Sequence, residues 1–356
     1  MGDMNNYKCR ACGAPLVFDP AAGKLSCEFC GSSFDPAEYE LEDPAAAAEK
    51  DQEASQWGVA EGMKSYVCPS CGAELICDEN TAATSCPYCG NNAVIPGQFS
   101  GIRQPEFILP FKVTKQQAKN ALKQHYQGKI LLPKAFKSQN QIEKIQGVYV
   151  PFWLFDRDAS GFAAYEASNS HSHREGDYII TETEHYRVAR EGNISFQKVP
   201  VDASSKMPDD YMDSIEPYDY GELKKFSPAY MPGYLADKYD VERQDASSRA
   251  DLRCENSLEA ALRETVTGYG SVMLEKKDIH VAPRDAHYAM LPVWLLSTRW
   301  RDKSYLFAIN GQTGKLVGDL PADKGKLRSI FWSTFLILGF VLSLMFGSSI
   351  AGFFMG

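Results

Sequence analysis

A chain of 356 residues has room for a sizeable hydrophobic core with small modules beside it. Its formal net charge of −9 is uneven: residues 1–100 hold 5 Lys/Arg against 15 Asp/Glu, a net −10, and the remaining 32 basic and 31 acidic residues come to +1. Any partner of the N-terminal third must tolerate an acidic surface. The sequence also has no phosphate-cradling glycine loop, nucleophile elbow or His-Glu-x-x-His motif, so no enzyme is expected.

Cys9, Cys12, Cys27 and Cys30 form C-x2-C-x14-C-x2-C, and Cys68, Cys71, Cys86 and Cys89 repeat that spacing 59 residues later. The surroundings repeat too: Tyr7 and Tyr66 precede the first cysteine, Cys-Gly-Ala-x-Leu follows Cys12 and Cys71, and Gly31 and Gly90 follow the last. A C-x-x-C turn aims two sulfurs at one ion, and two such turns complete a closed tetrahedral site. Modules this short cannot bury enough apolar surface to fold alone. Metal supplies the missing stability, about 10–16 kcal/mol for a structural zinc. Two zinc ribbons, at 1–34 and 66–98, and two Zn2+ per chain are therefore expected. Iron in a rubredoxin-like site is the chemical alternative, and Cys86-Pro-Tyr-Cys89-Gly90 resembles such a knuckle. Cys77 and Cys254 lie off the pattern and are expected to be buried or incidental.

Nucleic acid is the usual alternative partner for a ribbon. With four thiolates and Zn2+ contributing −2, residues 7–34 come to about −1 and residues 66–95 to about −5. Such modules repel phosphates, so nucleic-acid binding is disfavoured and a protein-contact surface is expected. Residues 35–65 between the ribbons are acidic and alanine-rich. They are expected to form a solvated linker that leaves each ribbon free to engage its own surface.

From 105 to 322 the composition turns aromatic and β-branched, which predicts an α+β body with antiparallel sheets. Thr114 and Gln117 form a capping-box pattern for a helix to about Gln127, stopped by Gly128. Strands are predicted from Tyr149, through Gly161–Glu166 and Tyr178–Arg190, and at Asn193–Val201, with a hairpin turn at Glu191–Asn193. A second helix is predicted within Asp240–Val266. Met290-Leu-Pro-Val-Trp-Leu-Leu296 echoes Tyr149-Val-Pro-Phe-Trp-Leu-Phe155, and Asn310–Gly314 predicts a hairpin between strands at 304–309 and 315–319. Two related halves, 105–203 and 224–320, are expected to face one another, with Trp153 and Trp294 as core anchors. His171-Ser-His173 is expected in a polar loop at a solvated hairpin tip. The acidic run Asp202–Glu222 is expected to be a covering loop.

Residues 330–355 are free of charge, and 14 of the 26 are Leu, Ile, Val or Phe. Those 14 contribute about −4 to −8 kcal/mol to bilayer insertion. At ~1.5 Å per residue a helix of this length exceeds a ~30 Å hydrocarbon core, so a single transmembrane helix is predicted. Lys324, Lys326 and Arg328 flank its start, and no signal-peptide pattern opens the chain. The bulk is therefore expected in the cytoplasm beneath the plasma membrane, among reduced thiols, which disfavours disulfides. Ser343, Gly347 and Ala351 repeat every fourth residue, a pattern compatible with self-association between spans.

With these motifs in place, the chain resembles the bacterial tail-anchored TFIIB-type zinc-ribbon membrane proteins of the YdjG type, whose ribbons are sometimes labelled primosomal helicase-like. No helicase motor motif accompanies them here. The resemblance implies a non-enzymatic membrane adaptor whose metal ligands are the eight paired cysteines. It also implies membrane-associated partners of flotillin-like or phage-shock-protein-like type in envelope stress. The alternative expectation is a nucleic-acid-binding or transcription-coupled sensor at the membrane.

Overall fold

The computed structural model describes residues 9–14, 16–40, 56–57, 63–67, 74–78, 95–96, 102–103, 105–139, 142–205, 207–237, 239–301 and 303–353. In chain order, β1 (Val17–Asp19), β2 (Lys24–Ser26) and β3 (Ser33–Phe34) make a small antiparallel sheet, followed by α1 (Pro36–Glu40). β4 (Gln56–Trp57) pairs with β8 (Ile102–Arg103), while β5 (Met63–Val67) lies between β6 (Glu74–Asp78) and β7 (Ile95–Pro96). The body then runs β9 (Phe107–Ile108), α2 (Lys115–His125), α3 (Lys134–Gln139), β10 (Gln146–Glu175), β11 (Tyr178–Asp202), α4 (Asp209–Ser214), β12 (Lys224–Lys225) and β13 (Leu235–Asp237). It closes with α5 (Arg243–Glu264), β14 (Ser271–Trp300), β15 (Lys303–Asn310) and β16 (Leu316–Gly318), before α6 (Lys324–Phe353).

The two apolar echoes lie side by side. β10 and β14 are antiparallel, with Tyr149 opposite Pro292, Val150 opposite Leu291 and Pro151 opposite Met290. Both runs are buried on both faces, which is why their sequences show no polar alternation. Val148, Val150, Phe152 and Leu154 point into one core, under Met207, Met212, Ile215 and Tyr218 of the acidic run 202–222. That run does cover the sheet, and it contains α4. Tyr149, Trp153 and Phe155 point into the other core, with Trp294 and Phe111.

The pairings around this centre are two-fold. On the outer edge of β10, β13 pairs in parallel at Val148 and Tyr149, and β11 takes over from Phe152. On the outer edge of β14, β9 pairs in parallel at Ala289 and Met290, and β15 takes over from Val293. The Trp153 indole donates to the Val241 carbonyl just before α5, and the Trp294 indole donates to the Val113 carbonyl just before α2. A β–α–β–β order is thus traced twice, as β9–α2–β10–β11 and β13–α5–β14–β15. Each opening strand pairs in the opposite half.

Beyond the centre, β10, β11 and β14 extend as a three-stranded blade. At roughly 3.3 Å per residue, the 30 residues of β10 span about 100 Å. α5 buries one stripe at four-residue spacing: Ala246 and Ala250 reach the core that holds Trp153, and Cys254, Leu258 and Leu262 cover one face of the blade. Cys254 is accordingly a core residue. Opposite Asp156 both β11, at residues 197–198 with Lys198 at φ +55°, and β14, at residues 284–285, carry one extra residue, which shifts the register on both sides. The next residue, Arg157, lies under α5, where it donates to Asp251 Oδ1 at 2.6 Å and Ser247 Oγ at 2.7 Å. At Gly161 the strands approach so closely that an added Cβ would lie 2.2 Å from the Asp278 carbonyl oxygen. Gly161→Ala is therefore expected to lower stability by about 1–3 kcal/mol through overpacking against backbone, read as a fall in unfolding midpoint. A midpoint within error of the parent would show that the strands spread freely there.

Two local expectations are corrected. Residues 191–193 do not turn: Gly192 pairs with Gly161 within β11, at a place where an added Cβ would lie 3.3 Å from Leu262 of α5. The turn lies at Gly176 (φ +63°) and Asp177 instead, a two-residue hairpin that uses the left-handed freedom of glycine. His171 and His173 are accordingly strand residues of β10, opposite Glu182 and Ile180, exposed near that tip. The Asn310–Gly314 hairpin, the capping box at Thr114 and the helix within 240–266 form as expected.

α6 begins before the uncharged run. Asp323 Oδ1 accepts from the backbone N–H groups of Gly325 and Lys326 and caps the helix. The helix continues to Phe353, and over Lys324–Leu342 it is long and apolar enough to cross a membrane, with none of that stretch buried against the protein. The side chains of Ser343, Gly347 and Ala351 lie outside the described residues.

Candidate metal centre

The first ribbon is built from two copies of one turn. In each, a glycine in the left-handed region, Gly13 or Gly31 at φ +74°, donates its N–H to the carbonyl of the first cysteine, Cys9 or Cys27. The first cysteine in turn donates to the carbonyl two residues past the second: Cys9 to Ala14 at 2.7 Å and Cys27 to Ser32 at 2.9 Å. The glycine that follows each Cys-x-x-Cys is thus required by backbone conformation, since a side chain is strained there.

These turns bring the four sulfurs together, all within 4.8 Å of one another. Cys9 Sγ lies 3.4 Å from Cys30 Sγ, and Cys12 Sγ lies 3.5 Å from Cys27 Sγ. Tetrahedral zinc with bonds of about 2.3 Å requires sulfurs about 3.8 Å apart, so small adjustments suffice and the donor set fits one ion with no open position. Cys9 and Cys27 are buried and Cys12 and Cys30 exposed. Their thiols differ without metal. The Ser32 hydroxyl and N–H draw Cys30 down to about 6. The Ala14 N–H draws Cys12 down, but hydrogen bonds from Cys27, Cys30 and Cys9 outweigh it and push that thiol up to about 12.

The ribbon is not free. The Phe18 N–H donates to the Pro232 carbonyl at 3.0 Å, and the Tyr234 hydroxyl donates to the Phe18 carbonyl at 3.4 Å. The Phe18 ring meets Tyr230 edge-on at 5.3 Å, and Leu16, Phe18 and Leu25 join the same core as Trp153 and Trp294. The expectation of a ribbon swinging on a solvated linker is therefore corrected for this copy: its apolar face exceeds what a small module can bury alone, and the body supplies the cover. No periodicity marks a surface contributed by residues 230–234, so this docking is not legible in the sequence. Phe29, between Cys27 and Cys30, stays 78% exposed at the tip of the second turn. Its only sequence signal is the aromatic Tyr88 at the matching place in the second copy.

Cys68, Cys71, Cys86 and Cys89 lie outside the described residues, as does the side chain of Cys77 and most of the segment 35–65. The strands that flank them are present. β5 pairs with β6, and β6 joins the body sheet through Ala236 opposite Ile76.

No family model matches the chain, and no solved structure does. The chain is 39% identical over 346 residues to the uncharacterized protein YdjG of Bacillus subtilis (strain 168), a match that covers 96% of this chain and 98% of that one. Nothing in these comparisons carries the finer TFIIB-type designation. An identity of 39% that runs along nearly the whole of both chains places this protein in one family with YdjG.

Proposed function

We propose that this protein is a membrane-anchored zinc-ribbon adaptor that recruits or scaffolds partner proteins at the cytoplasmic face of the plasma membrane. In this reading the ribbons are of TFIIB type. The second copy holds its own zinc through Cys68, Cys71, Cys86 and Cys89, and the partners are membrane-associated proteins of the flotillin-like or phage-shock-protein-like kind, acting in envelope stress. The two halves of the body descend from one duplicated unit. All of these follow from the resemblance or the repeats.

The observation that carries the proposal is Phe29, an exposed aromatic held at the tip of a closed, docked metal module. A four-thiolate site has no vacant position for a substrate, so what the module offers is a surface. Exposed aromatics on rigid supports are the usual anchors of protein interfaces. Anchoring through α6 would raise the effective concentration of two partners held at one bilayer.

The test is crosslinking and pull-down from membranes with Phe29→Glu, compared with the parent chain. Phe29→Glu is expected to keep its zinc and its membrane fraction and to lose partners. Unchanged partners would remove this ribbon from the interface, and steeply salt-dependent recovery of DNA or RNA would replace the adaptor by a nucleic-acid sensor. The anchor is tested separately. Leu338→Arg sets a charge near mid-span at a cost of about 2.5–3.5 kcal/mol, and the membrane-bound fraction of the chain is expected to fall. Carbonate-resistant retention of that variant at the parent level would count against the span.

A further inference from the structure

The turn that follows α2 is the candidate that the rest of the molecule leaves unexplained. Gly128 (φ +70°) ends the helix, and the Leu132 N–H donates to the Lys129 carbonyl at 3.2 Å, closing a turn with Ile130 and Leu131 at its tip. Leu132 and Pro133 are buried beneath it, yet Ile130 is 74% exposed. A large aliphatic side chain thus stands at the tip of a supported turn and faces outward.

Its position accounts for this. The Asp323 N–H donates to the Leu131 carbonyl, and Lys326 Nζ reaches the carbonyls of Ile130 and Leu132 at 3.4 and 3.1 Å. The turn is thereby tied to the first turn of α6. Lys326 stands four residues before Ile330, a rise of about 6 Å. The headgroup layer on one side of a bilayer is about 5–7 Å deep. If α6 spans, the turn lies at headgroup depth. Lys129 and Lys134 belong to the turn, and Lys324 and Arg328 stand at the same level on the first two turns of α6; all four are exposed, and none forms an ion pair with a carboxylate among the described residues. The nearest carboxylate along α6, Asp323, is spent on capping the helix.

We infer that the 128–134 turn is a second membrane contact, in which Ile130 enters the interface of an anionic bilayer while Lys129 and Lys134, with Lys324 and Arg328 on the helix, bind lipid phosphates. The inference rests on the reading of α6 as a span. Two tethers on one rigid body fix the tilt of the body over the membrane, which a single helix joined by a loose linker does not do. Basic residues at such a surface gain from the negative potential of anionic lipids.

The test uses the full chain in vesicles of phosphatidylcholine alone or with phosphatidylglycerol, with the photocrosslinker p-benzoylphenylalanine at position 130 or, as control, at the exposed position 252 on α5. Flotation of the vesicles reports the span independently. Lipid adducts are expected at 130 and not at 252, with a several-fold higher yield when phosphatidylglycerol is present, and Lys129→Glu/Lys134→Glu is expected to remove that gain while the chain still floats. Floating chains with no lipid adduct at 130, adducts indifferent to anionic lipid, or adducts to a second protein molecule would each overturn the inference and leave the anchor standing. Chains that do not float would overturn both.

Discussion

A Cys9→Ser/Cys27→Ser chain is expected to carry one zinc ion fewer than the parent and to lose hydrogen-exchange protection across residues 16–34. Zinc in a closed thiolate site contributes about 10–16 kcal/mol of apparent stability to a module that cannot fold without it. That exceeds the whole stability of a typical domain, about 5–15 kcal/mol, so the ribbon should unfold outright. The consequence reaches further, because Phe18 and Leu25 sit in the common core and Phe18 is hydrogen-bonded to Pro232 and Tyr234. Exchange should therefore rise at 230–237 as well, while the blade keeps its protection. Elemental analysis decides the metal, iron included, and its stoichiometry: two per chain in the parent if the second cysteine set is filled as proposed. Because zinc takes thiolate and releases protons, acidification should release the metal, and raising the pH again should restore it. A double variant that keeps both its metal content and its exchange pattern would refute the centre.

Trp294→Ala and Trp153→Ala are each expected to cost about 3–5 kcal/mol, the range for removing a buried tryptophan, measured as the shift of the chemical unfolding midpoint. Each indole packs on the same face of the two paired central strands. Trp294 meets Phe111 at 5.1 Å and Tyr234 at 5.9 Å, and Trp153 meets Tyr288 at 5.3 Å. Each also satisfies a carbonyl that precedes a helix, so truncation leaves a cavity and an orphaned acceptor together. Trp294→Phe separates the two losses. It retains most of the apolar volume and abandons the Val113 carbonyl, at an expected cost of about 1–3 kcal/mol. A cost below about 1 kcal/mol for both alanine variants would mean that the centre of the sheet is not where the stability resides.

The first metal centre was legible because ligand spacing is local. Two cysteines three positions apart can meet one ion only through a tight turn, and the glycine after each pair marks that turn's left-handed residue. The capping box at Thr114, the Asn310–Gly314 hairpin and the apolar run of α6 were legible for the same reason, since each is a pattern within one stretch of chain. The turn between β10 and β11 was misplaced because glycine has two uses. At Gly161 it lets strands pass closely and at Gly192 it leaves room for Leu262 of α5, whereas Gly176 turns the chain between the two strands.

What the amino-acid order determined by itself is the set of parts: thiol pairs that need a metal, paired tryptophan segments that need a core, and an uncharged helix that needs a cover of lipid or protein. What only the tertiary structure decided is how those parts are joined. The two tryptophan segments pair side by side, centred on Val150 and Leu291, each half lends its opening strand to the other, and the first ribbon rests on residues 230–234. The reason is physical. A half-sheet with an unpaired edge and a ribbon with an uncovered face can each be completed by any surface of the right shape, and which surface completes them depends on contacts between residues far apart in the chain.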